Sequence, residues 1–117
     1  MPSDKIIDMT TFEALRESMG ADFIDELVQA YFLETPQLIA ALQKALAKGD
    51  SDEFRRAAHS IKSTSNSFGV LEFGSLAREL EMIGKDGNLD QAAEKMDQLV
   101  NGYQDVRNSL EQACHGK

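Results

Sequence analysis

The chain has 117 residues, 42% hydrophobic and 27% charged, with 12 basic against 20 acidic side chains and a formal net charge of −8. That is enough for one hydrophobic core and too little for two, and it is too apolar, with 2 Pro and 8 Gly, to be disordered or low-complexity. The longest apolar run, Leu38 to Leu42, is far short of the roughly 20 residues that cross a bilayer, and the acidic balance opposes binding to nucleic acid.

Apolar residues recur three and four apart almost throughout, which predicts helices. A short first helix is expected from Thr10 or Thr11, with Thr10 and Glu13 as a capping box, to Gly20. A long second helix begins near Asp22, buries Phe23, Leu27, Tyr31, Leu38, Leu42 and Leu46, and stops at Gly49. Pro36 lies inside it and predicts a kink or break near Thr35. A third helix, capped by Asp50 or Ser51 with Glu53 reaching back, runs to Gly69 on an inward stripe of Phe54, Ala58, Ile61, Ser65 and Phe68. The fourth spans about Leu71 to Ile83 and buries Phe73, Leu76, Ala77, Leu80 and Ile83. The fifth follows Asn88, carries Leu89, Ala93, Met96, Val100, Tyr103, Val106 and Leu110, and ends near Ala113. Short connections between amphipathic helices require antiparallel neighbours. The expected fold is therefore all-α, an antiparallel up-down four-helix bundle with an extra short N-terminal helix. It forms one domain over residues 1–117 with its core in about 10–113.

The single cysteine, Cys114, excludes an internal disulfide. Met1 to Asp8 carry neither the cationic region nor the apolar core of a signal peptide, so the expected location is cytoplasmic.

One stretch departs from the rest of the chain. From Phe54 through Leu71 there is no Asp or Glu, and Arg55, Arg56 and Lys62 give this stretch +3 while the remainder carries −11. Local charge opposed to the whole points to an anion site. At about 100° per residue, His59 projects about 150° from the centre of the Phe54–Phe68 stripe, toward solvent. Lys62, three residues on, is its neighbour on that side. An imidazole on a wet face, beside a cation and among small polar residues, has no packing reason to be there.

A neutral imidazole is a competent nucleophile for phosphorus. Attack by one ring nitrogen requires the other to keep its proton, and a carboxylate accepting that N–H fixes the tautomer and stabilises the cation that develops. Lys62 is suited to neutralise the equatorial oxygens of a transferring phosphoryl group. Small side chains at Ser60 and Ser63 leave room for another protein's acidic pocket, and Arg55 and Asn66 are candidates for the same docking face.

The segment His59-Ser60-Ile61-Lys62-Ser63-Thr64-Ser65-Asn66-Ser67-Phe68-Gly69, followed by Leu76 and Leu80-Glu81, resembles the signature of histidine-containing phosphotransfer (HPt) domains. That signature reads His-x-hydrophobic-Lys-Gly-small-Ser-x-x-hydrophobic-Gly, and the length and helix order fit from about residue 10 to 113. The resemblance implies that His59 is phosphorylated on Nε2, that Lys62 assists the phosphoryl group, and that Glu81 hydrogen-bonds the Nδ1–H. Two positions depart from the pattern: Ser63 stands where the family has glycine, and Val70 where it has a small residue.

The implied function is a phosphorelay carrier passing a phosphoryl group between receiver-domain aspartates of a hybrid sensor kinase and a response regulator. It would act as a stand-alone monomer that docks transiently. It is expected not to be an enzyme and to need no cofactor of its own, because the sequence has no Gly-rich nucleotide loop and no acidic metal cluster; Mg²⁺ is expected on the receiver. The alternative is a non-catalytic helical adaptor that binds or sequesters signalling partners. A metal-dependent enzyme built on His59 and Glu81 is poorly supported, because only two histidines exist and no His-x-x-x-His or Cys-pair spacing occurs.

Overall fold

The computed structural model describes residues 6–115; of the signal-peptide reading, on Met1 to Asp8, residues 1–5 lie outside the described residues. Among the described residues, five α-helices follow one another: α1 Met9–Met19, α2 Ala21–Lys48, α3 Ser51–Ser67, α4 Leu71–Asp86 and α5 Ala93–His115, with a 3₁₀ turn at Leu89–Gln91 before the last. Among the described residues there is no strand, and no helix is long and apolar enough to cross a membrane.

Helices α2 to α5 form the bundle and α1 packs on α2. Contacts across α4 and α5 pair Phe73 with Tyr103 and Glu79 with Lys95, so position rises along one helix as it falls along the other. Arg107 of α5 lies over the Phe32 ring of α2, 4.9 Å from its centroid. The Arg16 guanidinium of α1 donates to the Ala113 carbonyl at 3.2 Å, tying the first helix to the end of the last. The core between them is built on Phe12, Ile24, Leu42, Phe54, Ile61, Leu80, Leu99 and Leu110, each essentially without solvent contact.

Helix α3 matches its predicted stripe at every position: Phe54, Ala58, Ile61, Ser65 and Phe68 are all buried. Its N-cap is Asp50, whose carboxylate accepts from the Glu53 N–H at 3.1 Å and so satisfies one of the orphan donors of the first turn. Ser65, the one polar member of the stripe, hydrogen-bonds the Tyr31 hydroxyl of α2 at 2.7 Å. Burial pushes the Tyr31 phenol above its ordinary pKa, although the bond to Ser65 opposes that shift.

Elsewhere the structure corrects the expected pattern. Helix α1 starts at Met9 behind Asp8, and the Thr11 hydroxyl donates to the Asp8 carboxylate at 2.7 Å, so the Thr10–Glu13 box is not what caps it. Helix α2 runs unbroken for 28 residues through Pro36. Pro36 lies on the exposed side, and burial on both sides of it, by Tyr31, Phe32 and Thr35 before and Ile39 and Leu42 after, outweighs the lost backbone bond. In α2 Tyr31 and Leu42 are buried as expected, but the rest of the buried face is Ile24, Val28, Phe32 and Ile39, leaving Phe23 exposed and Leu27, Leu38 and Leu46 at the margin. Helix α4 extends to Asp86, with Leu76 and Ile83 only partly buried. In α5 Met96, Leu99, Val106 and Leu110 are buried while Ala93 and Val100 are exposed, and Leu89 belongs to the preceding turn.

The short turn from α3 to α4 is fixed from outside. The Asp8 N–H donates to the Gly69 carbonyl at 2.7 Å, and Gly69 has φ +84° with the Asp8 carbonyl only 2.7 Å from where a Cβ would stand. Both its backbone conformation and its surroundings therefore require glycine.

Tyr31→Phe leaves the Ser65 hydroxyl without its buried partner and should lower the unfolding free energy by about 1–2 kcal/mol in urea titrations. Helix content should be unchanged; wild-type stability would mean that water replaces the lost bond.

Candidate functional site

Helices α3 and α4 lie antiparallel along a close seam. On α3, Arg55, His59, Lys62 and Asn66 are spaced by four, three and four residues and so share one edge of the helix. On α4, Gly74, Ala77, Glu81 and Gly84 do the same. The contacts pair Arg55 with Gly84, His59 and Lys62 with Glu81, and Asn66 with Gly74.

The Glu81 carboxylate reaches across this seam to two groups of α3. Its Oε2 is 2.9 Å from His59 Nδ1, and its Oε1 is 2.8 Å from Lys62 Nζ. Glu81 and Lys62 are largely covered, at 17% and 24% side-chain exposure, whereas the His59 side chain is 54% exposed. Burial by itself would raise the Glu81 carboxyl, but the hydrogen bonds from Lys62 and His59, with the charge of each, outweigh it and hold the carboxyl below its ordinary value. Glu81 is therefore an anion near neutral pH and an acceptor only, so His59 must donate to it from Nδ1. In the neutral ring the lone pair is then on Nε2, the nitrogen away from Glu81, on a side chain half in water.

The predicted triplet of His59, Lys62 and Glu81 is thus brought together. The four candidate docking residues spread along the same helix. Ser60 and Ser63 are exposed, and their carbonyls accept from Thr64 Oγ1 and Ser67 Oγ, each at 3.0 Å. Asn66, exposed overall, has its amide end over Gly74, where a Cβ would collide with it. Arg55 is partly exposed and pairs with Asp52 at 3.0 Å; Arg56 takes the other carboxylate oxygen at 3.0 Å. Hydrogen bonding from Arg55, then the charge of Arg56, lowers the Asp52 pKa. The basic stretch of the sequence is accordingly much less basic in space, because Asp52 lies one turn before it and Glu81 across from it. Val70, one of the two departures from the family pattern, is fully buried.

The site is a surface rather than a pocket. A cavity of about 450 Å³ between α4 and α5, bordered by Phe73, Leu76 and Val106 among others, does not include His59. An exposed nucleophilic nitrogen, with its tautomer held and an ammonium 2.8 Å from the same carboxylate, can take up an electrophilic group only if another molecule carries that group to it. Gly74, which leaves room for the Asn66 amide, and Gly84, which lies against the Arg55 backbone, were not anticipated from the sequence. Their signal is a missing side chain at one-edge spacing from Glu81.

The family model described as the Hpt domain matches residues 26–109, a span containing nearly all of α2, the whole of α3 and α4, and most of α5. No curated protein matches the sequence. Among solved structures, histidine-containing phosphotransfer protein B (HptB) from Pseudomonas aeruginosa PAO1 aligns with a TM-score of 0.88 at 26% sequence identity, with 96% of each chain covered. With the family's motif on α3 and its fold around it, this chain belongs to the Hpt domain family and is a histidine phosphotransfer protein of phosphorelay signalling.

Proposed function

We propose that His59 Nε2 is the atom that carries the phosphoryl group. The observation behind this reading is the 2.9 Å contact of Nδ1 with a carboxylate on a ring otherwise open to water. Glu81 accepts a hydrogen bond from the Nδ1–H while Nε2 attacks phosphorus, and stabilises the positive ring that forms. Lys62, tethered to the same carboxylate, is within reach of a group on this face and neutralises charge on the transferring oxygens. The phosphoryl group comes from the aspartyl-phosphate of one receiver domain, that of a hybrid sensor kinase, and passes to the aspartate of another, that of a response regulator. The P–O bond to aspartate breaks as the Nε2–P bond forms, and the return step reverses this. The receiver brings Mg²⁺ and most of the catalytic groups, and docks over Arg55, Ser60, Ser63 and Asn66. The chain needs no cofactor of its own and works in the cytoplasm as a monomer. Serine at position 63 keeps the approach open while adding a hydroxyl where the family has none.

Incubation with a phosphorylated receiver should label the wild type with an acid-labile, base-stable phosphate, whereas a mere adaptor gains none. His59→Gln should abolish the label with helicity and melting nearly unchanged, because the ring is half exposed. Lys62→Ala should slow labelling on the order of tenfold or more without unfolding the domain. Wild-type rates in Lys62→Ala would remove that residue from the chemistry.

The Glu81 carboxyl, depressed below its ordinary 4.5, contributes stability above that value and loses it as pH falls through the depressed folded value. Glu81→Gln should therefore be less stable than wild type at neutral pH, and the two urea curves should converge as pH is lowered through that window. A deficit of constant size would assign the effect to packing instead.

A further inference from the structure

We infer that Gly84 is a positioning residue for His59: by letting the backbones of α3 and α4 touch one turn beyond Glu81, it sets the distance over which that carboxylate must reach. The inference rests on the reading that His59 receives the phosphoryl group. Glycine is the poorest helix former after proline, and Gly84 is helical with no positive φ, so backbone freedom does not account for it. Space does. A Cβ at position 84 would stand 3.0 Å from each of Arg55 N, Cα and Cβ. The first two are atoms of the α3 backbone and cannot rotate away, so the helices must part by a few tenths of an ångström to admit it.

Gly74, on the same edge of α4, differs in kind. Its Cβ would meet only the amide end of Asn66, a group that can swing aside. The backbone contact therefore lies at the Gly84 end, where Arg55 precedes His59 by one turn and Gly84 follows Glu81 by three residues. Helices are stiff over a single turn, so a gap opened at Arg55–Gly84 is carried to His59–Glu81. At 2.9 Å the ring contact is at its optimum, and a few tenths of an ångström carry it to the long, weak end of the hydrogen-bond range. The seam cannot close further either, since the backbones already meet.

The test compares Gly84→Ala with wild type, Glu81→Ala and Gly74→Ala, using the ¹⁵N shifts of the His59 ring together with the rate of phosphate uptake from phosphoramidate. In that reaction the donor P–N bond breaks, ammonia leaves, the Nε2–P bond forms and the Nδ1 proton stays on the ring, hydrogen-bonded to Glu81. Alanine favours helix, so Gly84→Ala should keep its helicity. Its ring shifts should move toward those of Glu81→Ala, and its uptake should fall on the order of tenfold, as expected for a small misplacement at a reacting centre. Gly74→Ala should stay near wild type in both readouts. Wild-type ring shifts in a folded Gly84→Ala overturn the inference whatever the rate.

Glu81→Asp decides the matter independently if Gly84→Ala does not fold. With the seam fixed, a carboxylate one methylene shorter cannot reach, and Glu81→Asp should resemble Glu81→Ala. Ring shifts like those of wild type would show that the helices adjust, which also overturns the inference. A wild-type chain that takes no phosphate on His59 refutes the proposed function instead, and the ring shifts still report on Gly84.

Discussion

Glu81 holds two side chains of a neighbouring helix with one carboxylate, His59 through one oxygen and Lys62 through the other. Most of what distinguishes this surface follows from that double contact. The ring acquires a defined tautomer, the lysine is kept from wandering into solvent, and both lie on the same edge of α3. None of this is possible unless α3 and α4 run close together, and Gly84, against the Arg55 backbone, is where α4 makes room. Burial contributes as well. With only 17% of its side chain exposed, Glu81 makes charge-assisted bonds in a setting where water competes poorly.

The architecture and the reactive face were legible in the sequence where a helix has only one apolar side. In α3 a single stripe is apolar and the opposite face is polar, so the projection that buried Phe54, Ile61 and Phe68 also placed His59 in water. Helix α2 carries two apolar stripes one residue apart, Phe23–Leu27 and Ile24–Val28. Periodicity cannot rank them, because the choice is made by neighbours far away in the chain. Pro36 misled for a related reason: a local rule about backbone bonding yielded to packing on either side. Glu81 could be placed at the flank of its stripe, but the reach to His59 is a distance between helices and has no local signature.

Charge counted along the chain and charge arranged in space also differ. The run from Phe54 to Leu71 contains three cations and no anion, yet each cation has a carboxylate within 3.0 Å, supplied by Asp52 from just before the run or by Glu81 from α4. A partner bearing an acidic pocket thus meets cations already matched, so any attraction it feels comes from redistributing these pairs rather than from a bare positive patch. The exposed pairs of Arg55 and Arg56 with Asp52 are weak and easily exchanged, unlike the covered Lys62–Glu81 pair. On the proposed reading, that suits a surface which engages successive partners and releases each of them.

The openness of the His59 ring has a temporal meaning. A group bound there has no cavity wall to keep water off it, so the protein can do little to prolong its survival. On the proposed reading, the lifetime of the message belongs to the nitrogen–phosphorus bond itself and to how soon the next receiver arrives. The abundance of those receivers, more than any property of the bundle, would then decide whether a signal is delivered or lost to hydrolysis.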